Sequence, residues 1–211
     1  MSLLKQLRLY LVIGPQNCAT TPLISVIQQA VQGGITAIQL RDKCITDYQF
    51  EQYCIDIQSQ FPNLLLVVND RIDIAKKRRL PLHIGQTDIP IEQARNYLGP
   101  EVCIGLSIEN DTQAEQYKNC SANYFGVGPI FSTHSKKDAA NPIGIASLKK
   151  IRTILNHKPI VAIGGINQIN AKMVLATGVD GIAVVSAIAA AKTPMKAAAN
   201  LKNSNNKLFS S

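Results

Sequence analysis

Leu7-Arg8-Leu9-Tyr10-Leu11-Val12-Ile13, then Pro22–Gln32, then Ile35-Thr36-Ala37-Ile38-Gln39-Leu40: the order of these three pieces decides the fold. The outer two are short and mostly apolar, without the polar alternation of a half-exposed strand, which is the pattern of strands buried on both faces of a parallel sheet. The middle piece sets Ile24, Ile27 and Val31 on one helical stripe at i, i+3 and i+7, interrupted only by Gln28 at i+4. Working outward, the same alternation runs on. Further apolar runs stand at Leu64–Val68, Leu82–Ile84, Val102–Leu106, Tyr124–Val127, Ile160–Ile163 and Gly181–Val185. Between them lie the helical stretches Asp47–Gln60, Ile91–Leu98, Ala146–Leu155 and Asn170–Thr177. Eight βα units in about 200 residues predict an α/β chain folded as a single (β/α)8 barrel, at the compact end of that fold's range. A doubly wound open sheet is the competing arrangement, because alternation alone does not reveal closure; the count of eight favours the barrel. No Pro-, Gly- or Ser-rich linker divides the chain. Residues 1–200 are therefore expected to form the barrel and 201–211 a polar C-terminal tail.

The 211 residues are 46% hydrophobic and 17% charged, a globular composition that excludes disorder over most of the chain. No apolar stretch approaches the roughly 18 residues of a membrane span, and the first residues lack a basic segment followed by an apolar one. A cytoplasmic protein without membrane contact is expected. Five scattered cysteines with no C-x-x-C pair point to reduced thiols, not to a disulfide framework or structural zinc. The net charge of +8 suits anionic partners: nucleic acid, acidic membrane or phosphorylated small molecules. Aromatic residues at 5%, with no Trp, offer little for base stacking. The run Lys76-Lys77-Arg78-Arg79 reads as a solvated helix end, where cations complement the helix dipole.

In a barrel the chemistry gathers at the C-terminal ends of the strands. After the second run comes Gln39-Leu40-Arg41-Asp42-Lys43, and in extended geometry positions 39, 41 and 43 share a side; a solvated strand end is the plainer alternative. The third run leads into Asn69-Asp70-Arg71 and the fourth into Gly85-Gln86-Thr87-Asp88. Two acids at successive strand ends suit a hard cation such as Mg2+ shared with a phosphate, although either could simply cap a helix. His83, inside an apolar run, reads as a core histidine. The loop Gly126–Gly144 is the longest and carries Thr, Ser and Lys, a set suited to phosphate oxygens or merely to solvent. Ile163-Gly164-Gly165-Ile166 and Val185-Ser186-Ala187-Ile188 follow the seventh and eighth runs, where this fold commonly grips phosphate with backbone N–H groups.

These ordered motifs, together with Gly126-Val127-Gly128-Pro129-Ile130-Phe131 and Thr133-His134-Ser135-Lys136-Lys137-Asp138, resemble the thiamine-phosphate synthase family from the first strand to about Ile188. That family has a (β/α)8 fold. The resemblance implies a Mg2+-dependent transferase of thiamine biosynthesis that joins hydroxymethylpyrimidine diphosphate to a thiazole phosphate, releasing diphosphate and thiamine phosphate. It implies that Gln39, Arg41 and Lys43 hold the diphosphate substrate with Asn69, and that Asp70 and Asp88 ligate Mg2+. Ser107 falls where the family faces the pyrimidine. Thr133 and Ser135 would hold the thiazole phosphate and Lys136 the diphosphate, while Gly165, Val185 and Ser186 complete the second phosphate site. Arg41, Lys43 and Lys136 would act on the leaving group, since the family's reaction is described as dissociative. After Ser107 the family commonly continues with Thr or Cys and then His, where this chain has Ile108-Glu109-Asn110. Thiazole tautomerase, an isomerase and the first alternative, shares the barrel but uses a histidine in that loop. A basic nucleic-acid-binding module, the alternative from another class, would need one continuous Lys/Arg face, whereas the cations here stand singly at strand ends. The implied partners are small phosphorylated substrates, with neither nucleic acid nor membrane; oligomeric state is left open.

Overall fold

The computed structural model describes residues 2–18, 20–133, 135 and 140–206. Eight strands run through it: β1 Leu9–Ile13, β2 Ala37–Leu40, β3 Leu65–Asn69, β4 Leu82–Ile84, β5 Ile104–Ile108, β6 Tyr124–Val127, β7 Ile160–Ile163 and β8 Gly181–Val184. Each pairs in parallel with the next, and β8 returns to β1 with Leu11 opposite Val184, so the sheet is a closed barrel and not an open one. The helices are α1 Leu3–Gln6, α2 Leu23–Gly33, α3 Asp47–Gln60, α4 Ile72–Arg78, α5 Ile91–Leu98, α6 Asp111–Tyr117, α7 Gly144–Leu155, α8 Ala171–Leu175, α9 Ser186–Ala189 and α10 Pro194–Asn206.

Local chemistry accounts for several boundaries. Thr46 accepts from the Gln49 amide while the Gln49 side chain accepts from the Thr46 amide, a reciprocal cap that starts α3. Gly34, at φ 95, ends α2 in the left-handed conformation that glycine adopts without steric cost. The Lys76–Arg79 run does end a helix. Lys76 lies over the Tyr97 ring and Lys77 pairs with Glu51, so two of its cations are engaged locally.

The strand pleat sorts the apolar residues into two layers. Leu11, Ile38, Val68, Ile84, Leu106, Phe125, Ala162 and Val184 face outward and join the helices in one continuous core. Tyr10, Val12, Ala37, Val67, Tyr124, Val161 and Ala183 face inward and pack with Leu7 in a second, smaller core inside the barrel. Two elements extend past their expected ends. β5 runs to Ile108, which puts Ser107 within the strand. Helix α10 continues to Asn206, into the stretch expected as a polar tail, because Ala198 and Leu201 are buried against the body of the protein. A side chain on Gly33 would collide with α10 at Met195 and Ala198, so glycine is what lets α2 and α10 approach. Among the described residues no helix is long and apolar enough to cross a membrane.

Candidate active site

Inward-facing positions near the C-terminal ends of the strands are polar or small, and they open one cavity of about 980 Å3 at the barrel mouth. Its deep wall is a polar cluster. Gln39 Nε2 donates to Tyr10 Oη at 3.2 Å, Tyr10 Oη and Tyr124 Oη lie 3.1 Å apart, and His83 spans 3.0 Å contacts to Tyr124 Oη and Ser107 Oγ. Burial pushes both tyrosines above the usual phenol range and lowers His83 to about 4. All three rings are thus uncharged at neutral pH.

On one side of the mouth the β2 and β3 ends bring cations and acids together. Arg41 and Lys43 line the cavity, and Lys43 Nζ stands 3.5 Å from Asp70 Oδ2. Asp70 adopts φ 62, unusual for a residue other than glycine, and its amide donates to the His83 carbonyl at 3.0 Å. Asp88 Oδ2 accepts from the Gly85 amide at 2.6 Å. Burial, with the adjacent Asp88 carboxyl, raises Asp70 to about 6 against the opposing pull of Lys43. Two carboxylates held so close in a partly dry cleft repel one another, and a divalent cation between them would relieve that. Among the described residues no cluster of three or more His, Cys, Asp or Glu side chains could hold a metal alone. Two carboxylates are the number that Mg2+ commonly takes from a protein when water and substrate phosphate complete its shell.

The opposite rim is backbone-rich. Gly164 and Gly165 turn at φ 101 and 63 after β7, and a Cβ on Gly165 would strike the Ser132 carbonyl and Phe131. Loop residues Ile130 and Phe131 donate to the Ile163 and Gly164 carbonyls, folding the segment after β6 over this turn. Ser135 and Ser186 hydroxyls stand 3.5 Å apart, with Thr133 Oγ1 accepting from the Ser135 amide. Hydroxyls grouped in this way beside a glycine turn suit the oxygens of a phosphate.

The cavity wall thus brings together Gln39, Arg41, Lys43, Asn69, Asp70, Asp88, Ser107, Thr133, Ser135, Gly165, Val185 and Ser186. Lys136 lies outside the described residues. Sequence reasoning missed Tyr10 and Tyr124 and left His83 out of the site. Tyr10, His83 and Tyr124 fall on the inward parity of β1, β4 and β6, but both faces of those strands are buried, so no polar alternation marks that side in the sequence. Glu109 also lines the cavity, its amide donating to Gln113 Oε1 at 2.7 Å.

A family model described as thiamine monophosphate synthase matches residues 9–188. The thiamine-phosphate synthase of Psychrobacter sp. (strain PRwf-1) is 42% identical over 197 residues, 91% of this chain and 92% of its own. That of Clostridium novyi (strain NT) is 43% identical over 184 residues, covering 86% and 90%. Among solved structures, thiamine phosphate pyrophosphorylase from Pyrococcus furiosus superposes with a TM-score of 0.86 at 33% identity, covering 99% of this chain and 100% of that one.

Proposed function

We infer the activity from one premise: the chain belongs to the thiamine monophosphate synthase family. We propose that it condenses hydroxymethylpyrimidine diphosphate with thiazole phosphate to give thiamine phosphate and diphosphate. The observation that carries the reading is the division of a single cavity into two anion grips. Arg41 and Lys43 beside the Asp70–Asp88 pair suit a diphosphate with its cation, and the Gly164-Gly165 and Val185-Ser186 rim suits a monophosphate. A cytoplasmic location rests on the five scattered cysteines of the sequence, which form no C-x-x-C pair.

The chemistry asks for little beyond this. The bond between the pyrimidine methylene and the diphosphate oxygen breaks, its electron pair leaving with diphosphate, and the thiazole nitrogen lone pair forms the new C–N bond. No proton need move, so a general base has no task. Negative charge grows on the leaving oxygen, where Arg41 and Lys43 stabilise it from fixed positions. Lys136, in the loop between β6 and α7, is assigned to the same oxygens by its place in the family motif. Mg2+, held by Asp70 and Asp88, would supply further neutralisation of the diphosphate. Ser107, on the inward face of β5, orients the pyrimidine ring. Thr133, Ser135, Gly165 and the Val185-Ser186 backbone hold the thiazole phosphate, so its nitrogen faces the departing group.

The test is incubation with both substrates. Equal yields of diphosphate and thiamine phosphate are expected, abolished by excess chelator and restored by Mg2+. Interconversion of thiazole tautomers without diphosphate release would replace this reading with the isomerase; undiminished turnover in chelator would remove the metal from it.

A further inference from the structure

Five side chains inside the barrel form one unbroken hydrogen-bonded file: Gln39, Tyr10, Tyr124, His83 and Ser107. The first four are buried, and Ser107 ends the file at the cavity wall. We propose that the file is a polarity relay, in which the Gln39 amide sets the direction of the Ser107 hydroxyl proton and makes Ser107 a donor toward the cavity. Ser107 then selects a ligand atom that can only accept. On the proposed function, that atom is a ring nitrogen of the pyrimidine.

The direction follows from counting protons. Gln39 Nε2 donates to Tyr10 Oη, and within the file the Tyr10 proton is satisfied only by donation to Tyr124 Oη, 3.1 Å away. Tyr124 accepts there, and its own proton goes to His83 Nδ1. A neutral imidazole that accepts at Nδ1 carries its proton on Nε2, which donates to Ser107 Oγ. The remaining Ser107 proton has the cavity as its outlet. The Ser107 carbonyl is taken separately by Gln86 Nε2 at 2.5 Å. One reversed member would set two donors or two acceptors face to face in a buried site, which is costly enough to make the file switch as a unit.

The surroundings are built for this path. Gly105 and Gly126 occupy inward positions of β5 and β6 beside the imidazole. A Cβ on Gly105 would collide with the Tyr124 ring and His83 Nδ1, and one on Gly126 would come within 3.0 Å of His83 Cε1. The barrel interior forgoes two side chains there, and the histidine fills the space. Tyr10, Tyr124 and His83 form the deep wall of the same cavity, and the relay gives them a positioning role exerted through Ser107.

The experiment reads the His83 tautomer by long-range 1H–15N correlation in the full-length chain without substrate, with the resonance assigned by its loss in His83→Gln. The Nε2–H form is expected. Tyr124→Phe, which keeps the ring, should mix the tautomers and lower kcat/KM for the pyrimidine diphosphate about tenfold, the size of one buried hydrogen bond. KM for thiazole phosphate should stay within about twofold. A merely structural role would change the melting temperature and leave the tautomer and the split between the two substrates unmoved. An Nδ1–H tautomer in the wild type, or an unaltered tautomer in Tyr124→Phe, overturns the relay. Because the tautomer is read without substrate, absence of thiamine phosphate synthesis would overturn the proposed function while leaving the relay standing.

Discussion

Asp70 combines a left-handed backbone, a carboxyl raised to about 6 and a second acid as neighbour. Each is a local cost, and costs of this kind collect where a site is arranged for a ligand. Asparagine tolerates left-handed φ as well as aspartate does, so Asp70→Asn tests the charge without disturbing the turn. The raised value means that the folded state disfavours the ionised form, and at pH 7 the charge therefore opposes folding. Removing it should raise the metal-free melting temperature by roughly 6 °C, from about two pKa units at about 1.4 kcal/mol each and the lower bound of roughly 2 °C per kcal/mol for a half-buried group, while turnover falls at least about a hundredfold through lost charge stabilisation. Calorimetry in chelator and a diphosphate-release assay read the two effects. A variant less stable than the wild type would refute the assigned repulsion. Asp70 and Asp88 were legible as a candidate pair because acids at strand ends stand out from apolar runs. The shift was not, since it depends on how close the fold brings two side chains that lie 18 positions apart in the sequence.

Arg71 acts on a whole loop. Its guanidinium donates to the Asp42 and Ile45 carbonyls at 3.0 and 2.7 Å, pairs with the Asp47 carboxylate, and lies over the Phe50 ring. Asp42 Oδ1 accepts from the Cys44 and Ile45 amides, and Gln16 Nε2 donates to the Arg41 carbonyl. The segment carrying Arg41 and Lys43 is thus clamped from both flanks before any anion arrives, which lowers the entropy lost on binding. Arg71→Lys keeps the charge but loses the planar fork. It should raise KM for the pyrimidine diphosphate about tenfold and leave KM for thiazole phosphate alone; equal rises in both would show general unfolding of the mouth. At this scale the sequence was half legible. Gln39, Arg41 and Lys43 all line the cavity, although β2 ends at Leu40 and the last two lie beyond the strand. Tyr10, His83 and Tyr124 stayed hidden because both faces of these strands are buried, which erases the polar alternation that normally reveals the inward side.

Closure of the barrel could not be read from βα alternation; the count of eight pointed to it, and the pairing of β8 with β1 establishes it. Closure also places a buried histidine and a half-buried aspartate, of opposite habit, in one cavity, with a consequence for the whole molecule. His83 falls from 6.5 unfolded to about 4 folded, so its contribution to stability is lost as pH drops through that interval. Asp70 rises from 3.8 to about 6, so its contribution is present at low pH and lost as pH climbs through nearly the same interval. Between about pH 4 and 6 the unfolded chain holds the histidine proton and the folded chain the aspartate proton. The two slopes oppose, and in the metal-free wild type they should nearly cancel. Each variant exposes the slope of the other group. Asp70→Asn should lose about 3 kcal/mol as pH falls from 6.5 to 4, from roughly two pKa units at about 1.4 kcal/mol each. His83→Asn should lose a similar amount as pH rises from 4 to 6, beneath a constant deficit from the broken file. Urea titrations in chelator at pH 4.5, 5.5 and 6.5 would compare the three chains. Parallel profiles for wild type and Asp70→Asn would mean that Asp70 titrates alike folded and unfolded, and the electrostatic account of the mouth would have to be abandoned.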